Sequence, residues 1–458
     1  MSTVRLSTAR VVAKLTYYLL RLIGRNASNL PGWIALLICP SYLELIAKPP
    51  LCVAVTGTNG KTTVTNMIAD VLIDSGYSVA TNRIGSNIAS GIASTLTTSV
   101  SWSGKPNKDA CVLEVDERAT RLILPYVKPG YLVVTGLFRD SLKRNAHPDY
   151  IFDVIDTYTP PTTTLILNAD ELCSARLGET QGNQRVYFGI EAMESDVDSA
   201  VDLVTDYSFC PNCMTKLEYA HLRYHHIGRA GCPACGFSSP VPDYVIMYVG
   251  SGDEAIEVTH QGVESSYPLI SNATFNIYNE LAAIAALSEM GLSQDAIAAS
   301  LGKLGTLESR LKSTTVGSVS VIQAMSKGQS CVSATRTLDF VRTQPGRKVV
   351  VLVMDDWYDR KKSVEYVGWI YDTDFEFLAD DSVVQVVACG PRCYDYELRL
   401  LLAGIEKERI LRCELEMEAP AQLQIDDVDS VFVLYDTSTI DVAMDMKQAL
   451  ISRLEARK

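Results

Sequence analysis

The sequence predicts an α/β protein with two sheet domains in series, the first interrupted by a four-cysteine zinc ribbon. Three observations carry this expectation. Between about residues 50 and 170, short β-rich apolar runs ("LCVAVTG", "SVATN", "ACVLEVDE", "YLVVTGLF", "TTTLILNAD") alternate with helical patterns, the rhythm of a parallel sheet with crossover helices. A second alternating set starts near residue 317 with "GSVSVIQA", "RKVVVLVMDD", "SVVQVVACG", "RILRCE" and "SVFVLYDTS". Between the two sets, residues 207–240 are rich in Cys, Pro, Gly and His and follow neither period.

Taken in order, residues 1–48 read as an N-terminal helical segment. Within it, "RVVAKLTYYLLRLIGR" (10–25) puts Val11, Leu15, Tyr18, Leu19 and Leu22 at helical spacing, with Arg10, Lys14, Arg21 and Arg25 on or flanking the other side. Such a helix either docks on its own domain or rests on an anionic membrane surface. Residues 49–314 form the expected central domain, ending in the Ala-rich helix "FNIYNELAAIAALSEM" (275–290), which suits close packing on a sheet. A polar stretch around 312–317, "KSTTVG", marks the boundary, and residues 315–458 form a C-terminal Rossmann-like α/β domain.

Composition narrows the function classes. Hydrophobic residues at 47% and charged residues at 21% suit large packed cores, while a formal charge of −13 argues against a general nucleic-acid binder. No stretch reaches the ~18 uninterrupted apolar residues of a spanning helix. With no signal-peptide cleavage pattern either, the expected location is cytoplasmic, possible membrane contact aside. Twelve cysteines are then mostly reduced thiols rather than a disulfide framework.

The clearest chemical signal is "VAVTGTNGKTTVTNMIADVL" (53–72): a buried strand, a tight glycine turn and a helix opening on Lys61, Thr62 and Thr63. Gly57 and Gly60 let the backbone turn its N–H groups inward around Thr58 and Asn59, and the positive end of the helix faces the same spot. Lys61 reaches the outer phosphates of a nucleotide and Thr62 is a Mg²⁺ ligand, as in phosphate-binding loops generally. Val55 stands where the longer Gly-x-x-x-x-Gly-Lys loop has its first glycine, so this is the shorter form. "CVLEVDE" ends a strand at the edge where ligands of open α/β sheets collect. Glu114, with Asp116 and Glu117 nearby, is therefore a candidate Mg²⁺ ligand, or else caps the next helix.

Cys210, Cys213, Cys232 and Cys235 form C-x2-C-x18-C-x2-C, which fits tetrahedral zinc bound by two knuckles. Four thiolates leave no open position for water, so the expected role is structural. His221, His225 and His226 lie between the knuckles and are alternative ligands or, more commonly for lone histidines, solvated. In the second domain Asp355, Asp356, Asp359, Asp372 and Asp374 follow a strand in "DDWYDRKKSVEYVGWIYDTDFEFL", as candidates to orient a base or bind a cation, or as solvated loop acids.

"VAVTGTNGKTT" resembles the ATP loop of the Mur ligases. Together with "TNRIGSNIASGIASTL", "VLEVDE", "GLFRDSLKR", "LILNADEL", the ribbon, "FNIYNELAA", "WIYDTDFEFL" and "CGPRCYDYELRL", the chain from about residue 30 onward resembles the Mur ligase-like subunits of lipid II isoglutaminyl synthase. The resemblance implies a Mur ligase-type central ATPase domain using ATP and Mg²⁺, and a partner, a GatD-like glutamine amidotransferase that releases ammonia. It also implies the reaction: phosphorylation of the α-carboxyl of D-glutamate in the lipid II stem peptide, then amidation to D-isoglutamine. By the same resemblance Asn279 contacts the adenine, Arg310 lies near the nucleotide, and Asp372, with Asp374 as the next candidate, completes in trans the Cys–His pair of the glutaminase. The chain departs from the pattern at Gly136 (usually Asn), at Ser309 (usually Gly) and at "AMSKG" (324–328), where Lys327 is a possible substitute for the family's lysine. Two other readings remain open on these residues: a Mur-type ligase acting on a free amine, and a non-catalytic nucleotide-binding scaffold.

Overall fold

A computed structural model describes residues 2–83, 85–140, 147–194, 196–197, 202–249, 255–271, 273–304, 311–326, 330–354 and 367–456. Arg310, Lys327, Asp355, Asp356 and Asp359 lie outside these described residues. The chain divides into two compact units. The first comprises 1–138, 148–200 and 206–307; the second comprises 139–147, 201–205 and 308–458.

The first unit begins with helices α1 (Ser2–Leu22), α2 (Leu30–Ile38) and α3 (Tyr42–Leu45). Its sheet contains β1 (Leu51–Thr56), β2 (Val79–Thr81), β3 (Ala110–Glu114), β4 (Tyr131–Val134), β5 (Thr164–Asn168) and β6 (Arg185–Ile190). A hairpin of β7 (Glu218–Tyr224) and β8 (Ile227–Gly231) stands apart from the sheet. After it, β9 (Tyr244–Val249), β10 (Ala255–His260) and β11 (Val263–Pro268) complete the order β11-β10-β9-β6-β5-β4-β1-β3-β2. Pairing is parallel from β2 through β9, and β10 and β11 add an antiparallel edge.

Burial explains the composition of the crossovers. The strand β1 is buried over five of its six residues, and α4 (Lys61–Asp74) and α5 (Ala89–Thr98) carry the chain to its neighbours. Two amphipathic helices, α6 (Thr120–Val127) and α7 (Pro148–Tyr158), follow, then the short α8 (Leu172–Ala175). The Ala-rich helix is α9 (Thr274–Glu289); it is buried from Ile277 to Leu287, as a helix apolar around its circumference must be. Helix α10 (Gln294–Leu304) ends the unit.

The second unit has its own six-stranded sheet. Its strands are β12 (Leu311–Val316), β13 (Val319–Met325), β14 (Lys348–Val353), β15 (Val383–Cys389), β16 (Ile410–Cys413) and β17 (Ser430–Tyr435), in the order β12-β13-β17-β14-β15-β16. All pairs are parallel except β12 with β13, and β12 straddles the expected boundary at 314/315. Strand β14 is buried throughout and feeds two cores: Val350 and Leu352 on one face, Val349, Val351 and Val353 on the other. The helices are α11 (Cys331–Thr343), α12 (Gly368–Tyr371), α13 (Cys393–Leu402), α14 (Ala419–Gln422) and α15 (Ile440–Glu455).

The N-terminal helix docks on its own unit, but with the opposite face to the one its pattern suggests. Ala9, Ala13 and Lys14 are buried, while Val11, Leu15, Tyr18, Leu19 and Leu22 face outward. Lys14 Nζ donates to the carbonyl of Val100 at 2.6 Å and lies over the Trp102 ring. Small side chains permit close approach to α2 and α5, and a lysine with a carbonyl partner is tolerated there.

Candidate functional site

Strand β1 lies between β4 and β3, and the chain crosses from β3 to β4 over it. The loop after β1 therefore opens at a switch point of the sheet, where a crevice forms outside the strand ends. Gly57 and Gly60 take φ values of +129° and +87°, which L side chains rarely adopt. There is no room for a Cβ at either: one on Gly57 would meet Thr135 Oγ1 at 2.3 Å, and one on Gly60 would meet Asn279 Oδ1 at 2.2 Å. The loop is held from β4: Thr58 N–H donates to the Gly136 carbonyl at 2.9 Å, Phe138 N–H to Thr58 Oγ1 at 3.0 Å, and Thr135 Oγ1 to the Asn59 carbonyl.

Helix α4 opens at Lys61. The ammonium of Lys61 is folded back onto the carbonyls of Gly57 and Thr58 and pairs with Glu117 Oε2 at 3.2 Å. Glu117 is buried, and its other oxygen has no hydrogen-bond partner among the described residues. Thr62 Oγ1 donates to Glu114 Oε2 at 2.8 Å, and Asn87 Nδ2 to Glu114 Oε1 at 3.1 Å. Asn82 fixes the same residue through its backbone, donating to the Glu114 carbonyl and accepting from its N–H, both at 2.8 Å. Glu114 thus makes its side-chain contacts with Thr62 and Asn87, while Asp116 Oδ1 accepts from Arg118 N–H at 3.1 Å just before α6. Thr63 is on the first turn of α4, and Asn279, nearly buried on α9, stands against Gly60. Together these residues present a hydroxyl, a carboxylate and a lysine beside a helix N-terminus, the elements of a polyphosphate and divalent-cation site.

A second polar layer adjoins this one. Glu171, fully buried at the end of the β5 segment, accepts from Leu137 N–H and Ser174 N–H on Oε2, both at 2.9 Å, and from Cys173 N–H on Oε1 at 2.7 Å. His226 Nε2 lies 3.2 Å from the same Oε1. Burial opposes ionisation of Glu171, but His226 and the hydrogen bonds from Ser174 and Leu137 outweigh it and hold the carboxyl below its ordinary range. Next to it, Asp170 receives Arg223 Nη1 at 3.2 Å and the Tyr278 hydroxyl at 2.7 Å, and pairs with Arg229. The hairpin β7–β8 thus delivers Arg223, His226 and Arg229 onto two buried carboxylates.

The four cysteines converge. Their sulfurs all lie within 4.8 Å of one another, with Cys210 to Cys235 at 3.6 Å and Cys213 to Cys232 at 3.4 Å. Four thiolates ~2.3 Å from a tetrahedral zinc would sit about 3.8 Å apart, so the set is compatible with a metal site. The expectation that the intervening histidines are solvated is corrected: His221, His225 and His226 are all buried, and the cysteines alone form the cluster. Packing of His226 against Phe138, Tyr207 and Glu171 is what removes it from water.

In the second unit, Asp372 caps the C-terminus of α12, is half-buried and pairs with Arg139 at 3.4 Å. Asp374, two residues on, is buried and accepts from Leu203 N–H at 2.6 Å and Thr335 Oγ1 at 2.9 Å. Its burial raises the carboxyl to about 6, partly offset by those hydrogen bonds. Of these two, Asp372 is the one whose carboxylate is partly exposed.

Residues 55–230 match the Mur ligase middle domain, and residues 329–439 match the MurT ligase C-terminal domain. Along almost its full length the chain is similar to the lipid II isoglutaminyl synthase (glutamine-hydrolyzing) subunit MurT of Streptococcus pneumoniae, 28% identical and covering 97% of this chain and 96% of that one. The chain belongs to the MurT family of Mur ligase-like proteins. The MurT subunit of Staphylococcus aureus is 29% identical over 87% of this chain and 88% of its own. Among solved structures, a pseudomurein peptide ligase type C from Methanothermus fervidus (19% identity, TM-score 0.63, 88% and 79% covered) and MurF from Acinetobacter baumannii (15%, 0.61, 92% and 80%) share the fold. MurT-family membership accounts for the Mur ligase-like α/β fold, with its parallel-rich sheets and separate C-terminal sheet domain.

Sequence reasoning missed the pairing of Glu117 with Lys61, the two asparagines around Glu114 and the Glu171–His226 contact. Asn82 and Asn87 stand in the quoted "TNRIGSNIASG" segment, but nothing in the spacing ties them to Glu114.

Proposed function

We propose that the chain is the ATP-consuming subunit of a lipid II isoglutaminyl synthase, a carbon–nitrogen ligase that amidates the α-carboxyl of D-glutamate in the stem peptide. One observation carries this reading: a phosphate loop with Lys61, Thr62 and Glu114 in place at the switch point of a Mur-type sheet, on a chain whose C-terminal residues match the MurT domain. ATP and Mg²⁺ follow from the Mur ligase domain.

A carboxylate resists attack by ammonia because its leaving group would be oxide. In the proposed reaction a carboxylate oxygen attacks the γ-phosphorus of ATP and ADP departs, giving an acyl phosphate. Ammonia then attacks the acyl carbon, the nitrogen loses a proton, and phosphate leaves. Lys61, freed from the carbonyls of Gly57 and Thr58 as phosphate oxygens compete for it, offsets charge on the moving phosphoryl group. The backbone N–H groups of Asn59–Thr63 cradle the phosphates, while Thr58 N–H stays on the Gly136 carbonyl. Thr62 and Glu114 would hold Mg²⁺, which supplies further charge neutralisation. Asn279 and Arg310 are assigned to the nucleotide, and the four cysteines to a structural zinc in a ribbon inserted at 207–240.

Ammonia is assigned to a GatD-like glutaminase partner, with Asp372 orienting the histidine of its Cys–His pair; the exposure of Asp372 and the burial of Asp374 favour the former. We read the chain as a helical segment (1–48), an ATP-binding domain (49–314) and a C-terminal domain (315–458), working in the cytoplasm at the inner face of the membrane, where its lipid-linked acceptor resides.

The test is co-expression with the neighbouring glutaminase and mass spectrometry of lipid II after incubation with ATP, Mg²⁺ and glutamine. Exchange of a hydroxyl for an amine at the second stem residue is the expected result; ATP hydrolysis without that exchange would overturn the assignment.

A further inference from the structure

Among the described residues of the first unit, the outward apolar stripe of α1 is met at Tyr18, by Trp102, and is otherwise left exposed. Leu22 is 83% exposed, and Leu15 and Leu19 lie on the same face. Helix α2, which packs on α1, repeats the arrangement: Pro31, Gly32 and Ala35 face inward, whereas Trp33 (55%) and Leu37 (67%) face solvent. Tyr18 stacks on exposed Trp102, with ring centroids 6.0 Å apart and planes 22° from parallel. Isolated exposed apolar residues are ordinary, but two neighbouring helices that each turn their small residues in and their large ones out form a patch that needs an occupant.

Charge identifies that occupant. Five basic residues (Arg5, Arg10, Lys14, Arg21 and Arg25) and no acidic one precede Glu44, in a chain of net charge −13; Lys14 is turned inward onto Val100, and Arg5, Arg21 and Arg25 are exposed. Arg21 and Arg25 are exposed where α1 ends, and Lys105 is exposed three residues after Trp102. A second copy of the same chain would bring like charges together across the patch. An anionic bilayer instead accepts leucines at the acyl boundary, tryptophan and tyrosine at headgroup depth, and arginine and lysine at the phosphates. No helix among the described residues is long and apolar enough to cross a membrane, so contact would be with its surface.

We infer that the α1–α2 face docks on an anionic phospholipid surface. The purpose of the contact, bringing the catalytic unit to a lipid-linked acceptor, rests on the proposed reaction; the contact itself does not.

The experiment is co-sedimentation of the full chain with phosphatidylglycerol-containing vesicles and with pure phosphatidylcholine vesicles, both free of acceptor. Binding to the anionic vesicles is expected to be at least about tenfold stronger, given the contribution of each basic residue near such a surface, and to fall with added salt. The exposed double substitution Leu19→Glu, Leu22→Glu should abolish it without lowering the melting temperature, and Trp33→Ala should weaken it. Absence of vesicle binding, or binding that the double variant retains, would overturn the inference. So would conversion of a dimer to a monomer, or loss of glutaminase association, on making that variant, since the face would then be a protein interface. Intact vesicle binding with no amidation of lipid II would fault the reaction and leave the surface standing.

Discussion

Replacing Glu171 with Gln probes the polar layer beside the phosphate loop, because the two side chains share a shape and differ only in what they can accept. Both oxygens of Glu171 receive two donors: Leu137 N–H and Ser174 N–H on one, Cys173 N–H and His226 on the other. An amide can keep only one of these pairs. The cheaper orientation keeps the first pair and turns its NH₂ toward the second, where His226 can present its Nε2 lone pair by changing tautomer but Cys173 N–H cannot adapt. One buried N–H left without an acceptor costs about 1–3 kcal/mol, and exchanging charge-assisted for neutral hydrogen bonds adds roughly 1 kcal/mol more. The expected loss is therefore about 2–4 kcal/mol in urea unfolding at pH 7.5. Hydrogen exchange should show protection lost at the Cys173 amide and kept at Leu137 and Ser174. Because the folded carboxyl titrates below its ordinary value of 4.5, its contribution is complete above that pH and is lost as pH falls through the folded value. The gap between wild type and Glu171→Gln should thus hold steady above pH 4.5 and narrow below it. A gap under about 1 kcal/mol at pH 7.5, or one undiminished in acid, would refute the account.

Lys61→Ala should cut ATP-dependent turnover by at least about 100-fold. It also strands buried Glu117, so a lower melting temperature is expected, which adding Glu117→Gln should restore while turnover stays lost; recovery of turnover would remove Lys61 from the reaction. Asp372→Asn should lower glutamine hydrolysis by the complex far more than nucleotide binding, and equal losses in both assays would make that residue a structural one. Glu280, buried on α9, is pushed up to about 8 by burial, which the Ile270 N–H only partly offsets. Its folded state binds a proton more tightly than the unfolded chain, so wild-type stability should decline as pH rises from 4.5 through 8. Glu280→Gln should flatten that decline, and parallel pH curves for the two proteins would count against it.

Local signals were the legible ones. Gly57 through Thr63 could be read as a phosphate loop because strand, glycine turn and helix are contiguous, and the Ala-rich helix could be read as buried because it offers no polar face. The knuckle spacing likewise predicted that four sulfurs would meet. What escaped the sequence depends on partners far along the chain. His226 meets Glu171 across 55 residues, and no periodicity marks either as the other's neighbour. The face of α1 was misread for a related reason: an apolar stripe ordinarily finds the core, but here Ala9 and Ala13 fit closely against α2 and α5 and Lys14 finds a carbonyl. Asp372 and Asp374 are two residues apart, yet the first is half-exposed and the second buried, a distinction set by Thr335 and Leu203 rather than by their own segment.

The arginines and histidine of the β7–β8 hairpin bear on how such a chain could be shortened or could have arisen. Asp170 and Glu171 are buried carboxylates whose partners, Arg223 and Arg229 for the first and His226 for the second, come from the β7–β8 hairpin. A sheet that lost the hairpin would keep two buried carboxylates without these partners, at a cost of several kcal/mol, unless both were replaced in the same step. The module is therefore keyed to its host rather than appended to it: excision demands compensating changes at 170 and 171, and a chain with those two acids but no hairpin should not fold.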